Sequence, residues 1–204
     1  YYGMTEGGGT CMLLAHEFPN KLHTVGQPVA GHDIRLIDEQ GVELPVGEVG
    51  EVVGRSPALM QGYFKQPGKT AEAEWYDASG NRFIRTGDVG RFDADGFLTL
   101  LDRRKDMIIS GGFNIYPSDL EGILLDDARV VEAPVVGVPS EEWGETPVAF
   151  AVLKDGADGE AVRADCNAKV GKTQRLSAIT VVDELPRSPI GKVLKRELRD
   201  AYSA

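Results

Sequence analysis

The sequence predicts an α+β chain, a β-rich segment followed by a small α+β unit, and three observations carry that reading. Short apolar stretches separated by turn residues fill the region from Gly26 to Tyr63, the pattern of an antiparallel sheet or small barrel. An Asp-Gly hairpin signal follows at Asp93-Ala94-Asp95-Gly96. Beyond the charged cluster Asp102-Arg103-Arg104-Lys105-Asp106, strands begin to alternate with helices, which places a domain boundary there: 1–103, then 104–204.

Taken in order, Ile34–Ile37, Gly50–Val53 and Leu59–Tyr63 read as strands. Val89–Phe92 and Phe97–Leu101 flank the Asp-Gly turn as a hairpin. Pro117 suits the first position of a helix, with Asp119 and Glu121 near its positive end and Leu120, Ile123 and Leu124 as its apolar stripe; the helix should end near Asp127. Val130–Val138 and Val148–Leu153 are β-branched runs, Glu160–Val170 reads as an amphipathic helix, and Ile179–Val182 as a strand. A last helix starts near Val193, with Leu194, Leu198 and Tyr202 at helical spacing.

Composition narrows the function. The 204 residues are 42% hydrophobic and 26% charged, a globular balance. Their 22 basic and 32 acidic side chains give a formal charge of −10, which disfavours a nucleic-acid partner held by phosphate attraction, so any phosphate site must be local. Cys11 and Cys166 suggest neither a disulfide framework nor a metal knuckle, so buried thiols in a reducing cytoplasm are expected. No apolar run approaches the ~18 residues of a transmembrane helix, and no leader opens the chain. His16, His23 and His32 lack metal-site spacing. Gly171-Lys172-Thr173 imitates the end of a P-loop, but Cys166 stands where its first glycine belongs.

Four segments could carry chemistry. Tyr2-Gly3-Met4-Thr5-Glu6 with Gly7-Gly8-Gly9 joins an aromatic ring, flexible backbone, a hydroxyl and a carboxylate; such a set could stack a base, bring amides to a phosphate and hold magnesium. It could equally be a plain glycine turn after a strand. In Arg85-Thr86-Gly87-Asp88 the aspartate could accept both hydroxyls of a ribose or merely cap a turn. The third segment runs from Asp102 to Pro117 and the fourth is Leu185-Pro186-Arg187-Ser188-Pro189-Ile190-Gly191-Lys192, a proline-bounded loop. From Arg187 to Arg199 five basic residues face one acid, Glu197; a solvated basic face is the plainer reading of Lys195 and Arg199.

In this order the four segments resemble the core motifs of the adenylate-forming superfamily: acyl-CoA synthetases, peptide-synthetase adenylation domains and beetle luciferases. The resemblance runs from Tyr2 to about Arg199 and implies that residues 1–103 are the β-rich end of a large AMP-binding domain. Residues 104–204 would be its small C-terminal domain. It further implies that Tyr2 stacks on adenine, that Gly3 lies at the nucleotide, that Thr5 contacts the α-phosphate and that Glu6 helps hold Mg2+. Asp88 would bind the ribose, Arg103 and Asn114 would lie at the nucleotide, and Lys105 would be the hinge about which the small domain rotates between half-reactions. Gly111 and Gly112 would admit the pantetheine arm of coenzyme A, and Lys192 would be the adenylation lysine. The implied partners are ATP, coenzyme A and a small carboxylic acid, with a fatty acid as the expected class.

Gly137-Val138-Pro139 and Trp143-Gly144-Glu145 resemble the acyl-CoA ligase branch, which sets an amino-acid or aryl-acid adenylation domain, and a non-catalytic nucleotide-binding remnant, as alternatives. Three departures stand out: Asp102 for a frequent glycine, Asp119 for a frequent glutamate, and Lys172-Thr173-Gln174-Arg175 for an aromatic-Lys-Pro stretch. The chain starts at Tyr1, inside the first motif, so the loop for the β and γ phosphates and most of the acyl pocket are expected before it.

Overall fold

The computed structural model describes residues 1–202, and the chain divides into two compact units, Tyr1–Lys105 and Asp106–Ala204. In the first, β1 (Tyr2–Gly3), β2 (Thr10–Met12) and β3 (Gln27–Pro28) make a small antiparallel sheet. A larger sheet comprises β4 (Asp33–Ile37), β5 (Val49–Arg55), β6 (Glu74–Tyr76), β7 (Arg82–Phe92) and β8 (Leu98–Arg103). Its long β7 pairs antiparallel with β5, β6 and β8, so one strand fixes the placement of the other three. Cys11, Ile34, Leu36, Val52 and Leu98 form one buried cluster, and Ile37, Val53, Trp75 and Phe83 another.

The Asp-Gly hairpin forms because Asp93 acts twice. Its amide donates to the Phe97 carbonyl at 3.0 Å, while its Oδ1 accepts the Asp95 and Phe97 amides at 3.0 and 2.9 Å. Leu59–Tyr63, by contrast, is no strand. The Met60 amide donates to the Glu6 carbonyl at 2.9 Å and the Met60 carbonyl accepts from Arg82, which uses those backbone groups outside any ladder. Behind it lies a helix the sequence does not announce, α1 (Pro67–Ala73), opened by its own proline and burying none of its side chains. The run Gly7-Gly8-Gly9 is buried, and a Cβ on Gly54 would meet the Gly8 carbonyl oxygen at 1.8 Å. At Gly8 this serves close packing of a loop on β5.

Among the described residues the second unit is built on one sheet and three α-helices. Its elements are β9 (Ile108–Ser110), β10 (Phe113–Ile115), α2 (Pro117–Leu125), β11 (Val130–Glu132), β12 (Val135–Ser140), β13 (Gly144–Leu153), α3 (Gly159–Asn167), β14 (Ala178–Val181) and α4 (Lys195–Tyr202). β13 is the hub, antiparallel to β9, β11 and β12 and parallel to β14. Alternation sends Val135, Ala149 and Ala151 to one face with Leu120 and Leu124 of α2 and Val162 and Cys166 of α3. Val136, Val148 and Phe150 go to the other, with Leu198 of α4. The single strand expected over Val130–Val138 is two, each paired with β13, and broken at Ala133-Pro134, where proline has no amide to donate to a ladder. Among the described residues no helix is long and apolar enough to cross a membrane.

Candidate active site

In the first unit two distant segments meet on one carboxylate. Asp88, on β7, is 9% exposed. Its Oδ2 accepts the Tyr2 hydroxyl at 2.6 Å, and its Oδ1 pairs with Arg103 Nε, across the β7–β8 register, at 2.7 Å. The Thr86 hydroxyl accepts the Asp88 amide at 3.1 Å and donates to the Val52 carbonyl at 2.9 Å, which locks an irregularity within β7, where the sequence suggested a turn, that presents the carboxylate. Burial and then the Asp88 bond hold the Tyr2 phenol well above its ordinary range, so it stays a donor. The Tyr2 ring is half-buried against the cluster containing Cys11, and Gly3 is exposed on β1. Burial pushes the Cys11 thiol up to about 12.

Thr5 and Glu6 lie on the turn that follows β1. Glu6 Oε2 accepts the Thr5 hydroxyl at 3.0 Å and Oε1 the Tyr63 hydroxyl at 3.1 Å. Partial burial opposes ionisation, but bonds from its own amide, Thr5 and Tyr63 outweigh it and lower the Glu6 carboxyl below its ordinary value. One carboxylate and one hydroxyl form an oxygen-only donor set of the kind magnesium takes together with phosphate oxygens. No cluster of three or more His, Cys, Asp or Glu able to hold a metal occurs among the described residues, so this protein surface builds no cage of its own. Tyr63 escaped notice in the sequence because it sits 57 residues from Glu6 in a segment that reads as a strand.

The second unit holds the other predicted residues. Gly111 and Gly112 form the two-residue turn between β9 and β10, with φ of +56° and +81°. The Gly111 amide donates to the Trp143 carbonyl at 2.8 Å, and a Cβ on Gly111 would meet the Trp143 ring at 2.7 Å. Asn114 is exposed on β10. Nearby, a cleft of about 410 Å³ is lined by Ser110, Trp143, Arg163, Asn167, Lys172 and Arg175, with Lys172 Nζ 5.8 Å from the Trp143 ring. Sequence reading passed over this cleft. Its signal was the basic Lys172–Arg175 stretch, noted there as a departure.

Lys192 is exposed on a turn closed by local hydrogen bonds: Ser188 N–H to the Lys192 carbonyl at 2.8 Å, Gly191 N–H to the Ser188 carbonyl at 2.8 Å, and Lys192 N–H to the Ser188 side-chain Oγ at 3.1 Å. Arg187 donates to the Gly191 carbonyl at 2.8 Å and pairs with Glu132. The solvated basic face expected at Lys195 and Arg199 is not found. Lys195 pairs with Glu121 at 2.7 Å and Arg199 with Asp106 at 3.6 Å.

The model of the AMP-binding enzyme family matches residues 1–64, and that of the AMP-binding enzyme C-terminal domain matches residues 119–192. The chain belongs to the adenylate-forming superfamily. Within that superfamily, the chain is 42% identical over 201 residues to the 2-succinylbenzoate–CoA ligase of Geobacillus kaustophilus, covering 97% of this chain and 40% of the relative. It is 36% identical over 200 residues to a long-chain-fatty-acid–CoA ligase of Yersinia pestis, covering 98% and 35%. The solved o-succinylbenzoate CoA synthetase of Bacillus subtilis, in complex with its acyl-adenylate intermediate, superposes with a TM-score of 0.86 at 34% identity, covering 98% of this chain and 40% of that one. The chain thus spans about 40% of the length of such relatives and corresponds to their C-terminal region.

Proposed function

We propose that this chain is the C-terminal part of an acid–CoA ligase, which joins a carboxylic acid to AMP with release of pyrophosphate and then passes the acyl group to coenzyme A. The observation that carries this reading is the convergence of Tyr2 and Arg103 on the Asp88 carboxylate, because it gathers three separate motifs into one polar point. On this reading Asp88 accepts the ribose hydroxyls, with Arg103 holding one of its oxygens. Tyr2 stacks its ring on adenine, alongside the exposed Gly3 backbone, and Asn114 lies at the adenylate. Thr5 turns its hydroxyl from Glu6 to the α-phosphate. Glu6 is the residue that would hold magnesium, which when bound neutralises charge on the phosphate oxygens. Lys192 supplies a mobile ammonium where negative charge gathers as the acid attacks phosphorus. Lys105 is the pivot between half-reactions.

Gly111 and Gly112 leave room for the pantetheine arm, and the cleft beside Trp143, with Arg163, Lys172 and Arg175, offers cations to the phosphates of coenzyme A. For the acid, a fatty acid and 2-succinylbenzoate compete; the higher identity to the Geobacillus relative favours the latter. The setting is cytoplasmic. The test is ATP–pyrophosphate exchange and CoA-ester formation by the ligase that carries this chain, offered each acid in turn. Exchange that depends on an added acid is expected, and none from the 204 residues alone. A carrying protein that forms neither adenylate nor thioester with any acid would end this reading.

A further inference from the structure

A buried carboxylate outside the described site ties together two of its flanking segments. Glu51 lies in β5 and is 8% exposed. A single oxygen, Oε2, accepts Arg85 Nη1 at 2.7 Å and Arg104 Nη1 at 2.9 Å. Arg85 opens the Arg85-Thr86-Gly87-Asp88 segment of β7, and Arg104 immediately precedes Lys105. On the far side of Lys105, Asp106 pairs with Arg199 of α4 at 3.6 Å, within the second unit. The Lys105 side chain itself makes no hydrogen bond or ion pair among the described residues, and it is exposed.

We propose that Glu51 is a positioning residue that, with the Asp106–Arg199 pair, confines the pivot to Lys105; the proposal rests on the reading of Lys105 as the hinge. The physical argument is one of anchoring. A buried carboxylate shared by two guanidiniums is costly to vacate, because either partner left behind loses its compensation in a desolvated place. Arg85 is held within a strand and is 24% exposed, whereas Arg104 lies past the end of β8 and is 45% exposed. When the Glu51 charge is removed, two guanidiniums face each other without an anion, and Arg104 is the one free to leave. The stop at Arg104 would then be lost while the Asp88 segment of β7 keeps its Thr86 and Val52 bonds.

The test measures hydrogen exchange amide by amide from Arg103 to Ile108 in the 204-residue chain. Fast exchange should centre on Lys105. In Glu51→Gln, and in Arg104→Met, which leaves the Glu51–Arg85 pair intact, the Arg103 and Arg104 amides should exchange about tenfold faster with Asp106 to Ile108 unchanged. Asp106→Asn should produce the mirror image. Uniformly fast exchange from Arg103 to Ile108 in the unaltered chain, or Arg104→Met leaving the profile as it was, overturns the proposal. In the carrying ligase, Arg104→Met should slow CoA-ester formation about fivefold with acid-dependent exchange of pyrophosphate within about twofold. An equal fall in both steps also overturns it. A ligase inactive in every form defeats the catalytic reading alone, since the amide measurement needs no chemistry.

Discussion

Asp88 and Lys192, the two ionised groups central to the proposed chemistry, are held in opposite ways. Asp88 is buried on the hub strand of its sheet, with an oxygen committed to Tyr2 and the other to Arg103. Lys192 stands in solvent on a turn held by its own local hydrogen bonds, its side chain tied to nothing among the described residues. A recognition group gains from being fixed before the ligand arrives, because ordering is then completed in folding rather than in binding. A group that must neutralise charge only in one half-reaction gains from a rigid turn and a free tip. It follows that substitutions should separate the two: at Lys192 function falls and stability does not, while at Asp88 both fall.

The largest effect should come from Lys192→Ala in the carrying ligase. Acid-dependent pyrophosphate exchange should drop by about 100-fold or more, the scale of losing one group that stabilises developing charge. Thioester formation from supplied acyl-adenylate should persist, and the unfolding free energy of the chain should move by less than ~0.5 kcal/mol, as for an exposed surface position. A matching loss in both half-reactions, or a marked destabilisation, would break the contrast. Asp88→Asn comes next. It keeps the shape but weakens two bonds at a buried position, so urea unfolding should lose about 1–3 kcal/mol. Tyr2→Phe should lose about 1 kcal/mol, and the pair of changes should cost less than their sum, because they share one bond.

The second unit offers a backbone version of the same question at its glycine turn. Both Gly111 and Gly112 have positive φ, but only Gly111 abuts the Trp143 ring. Gly112→Ala should therefore cost about 1 kcal/mol from backbone strain alone. Gly111→Ala adds a clash and should cost about 1–3 kcal/mol, measured by thermal unfolding, with loss of near-ultraviolet signal from Trp143.

What could be read beforehand was whatever neighbours in sequence decide. The Asp93–Gly96 turn was legible because Asp93 bonds amides two and four residues on. The α2 helix was legible from Pro117 and its apolar spacing. Leu59–Tyr63 misled because its apolar residues serve a loop packed beside Glu6, and α1 escaped because it buries no stripe for periodicity to reveal. Within the site, single motifs could be named from their residues, but not their meetings. Tyr2 reaches Asp88 across 86 positions and Glu51 reaches Arg104 across 53, distances over which only the completed sheet supplies the register. Glu51 in particular hides inside Val49–Arg55, an apolar run where a lone acid looks like a solvent-facing strand residue.

The smallest predicted effect concerns the brace beneath Lys192, and it asks whether the turn is held by charge or by backbone. Glu132 and Arg187 are each 41% exposed, so their ion pair is screened and worth about 0–1 kcal/mol. Arg187 also donates to the Gly191 carbonyl at 2.8 Å, the residue just before Lys192. If the backbone bond is what counts, Glu132→Ala should leave adenylation within about twofold while Arg187→Ala lowers it by about fivefold, the equivalent of one ordinary hydrogen bond. Raising ionic strength discriminates further, because a carbonyl bond is less sensitive to salt than an exposed ion pair. Equal losses for the two variants, abolished in high salt, would make Lys192 a residue placed by electrostatics and would undo the view of its turn as a self-contained rigid mount.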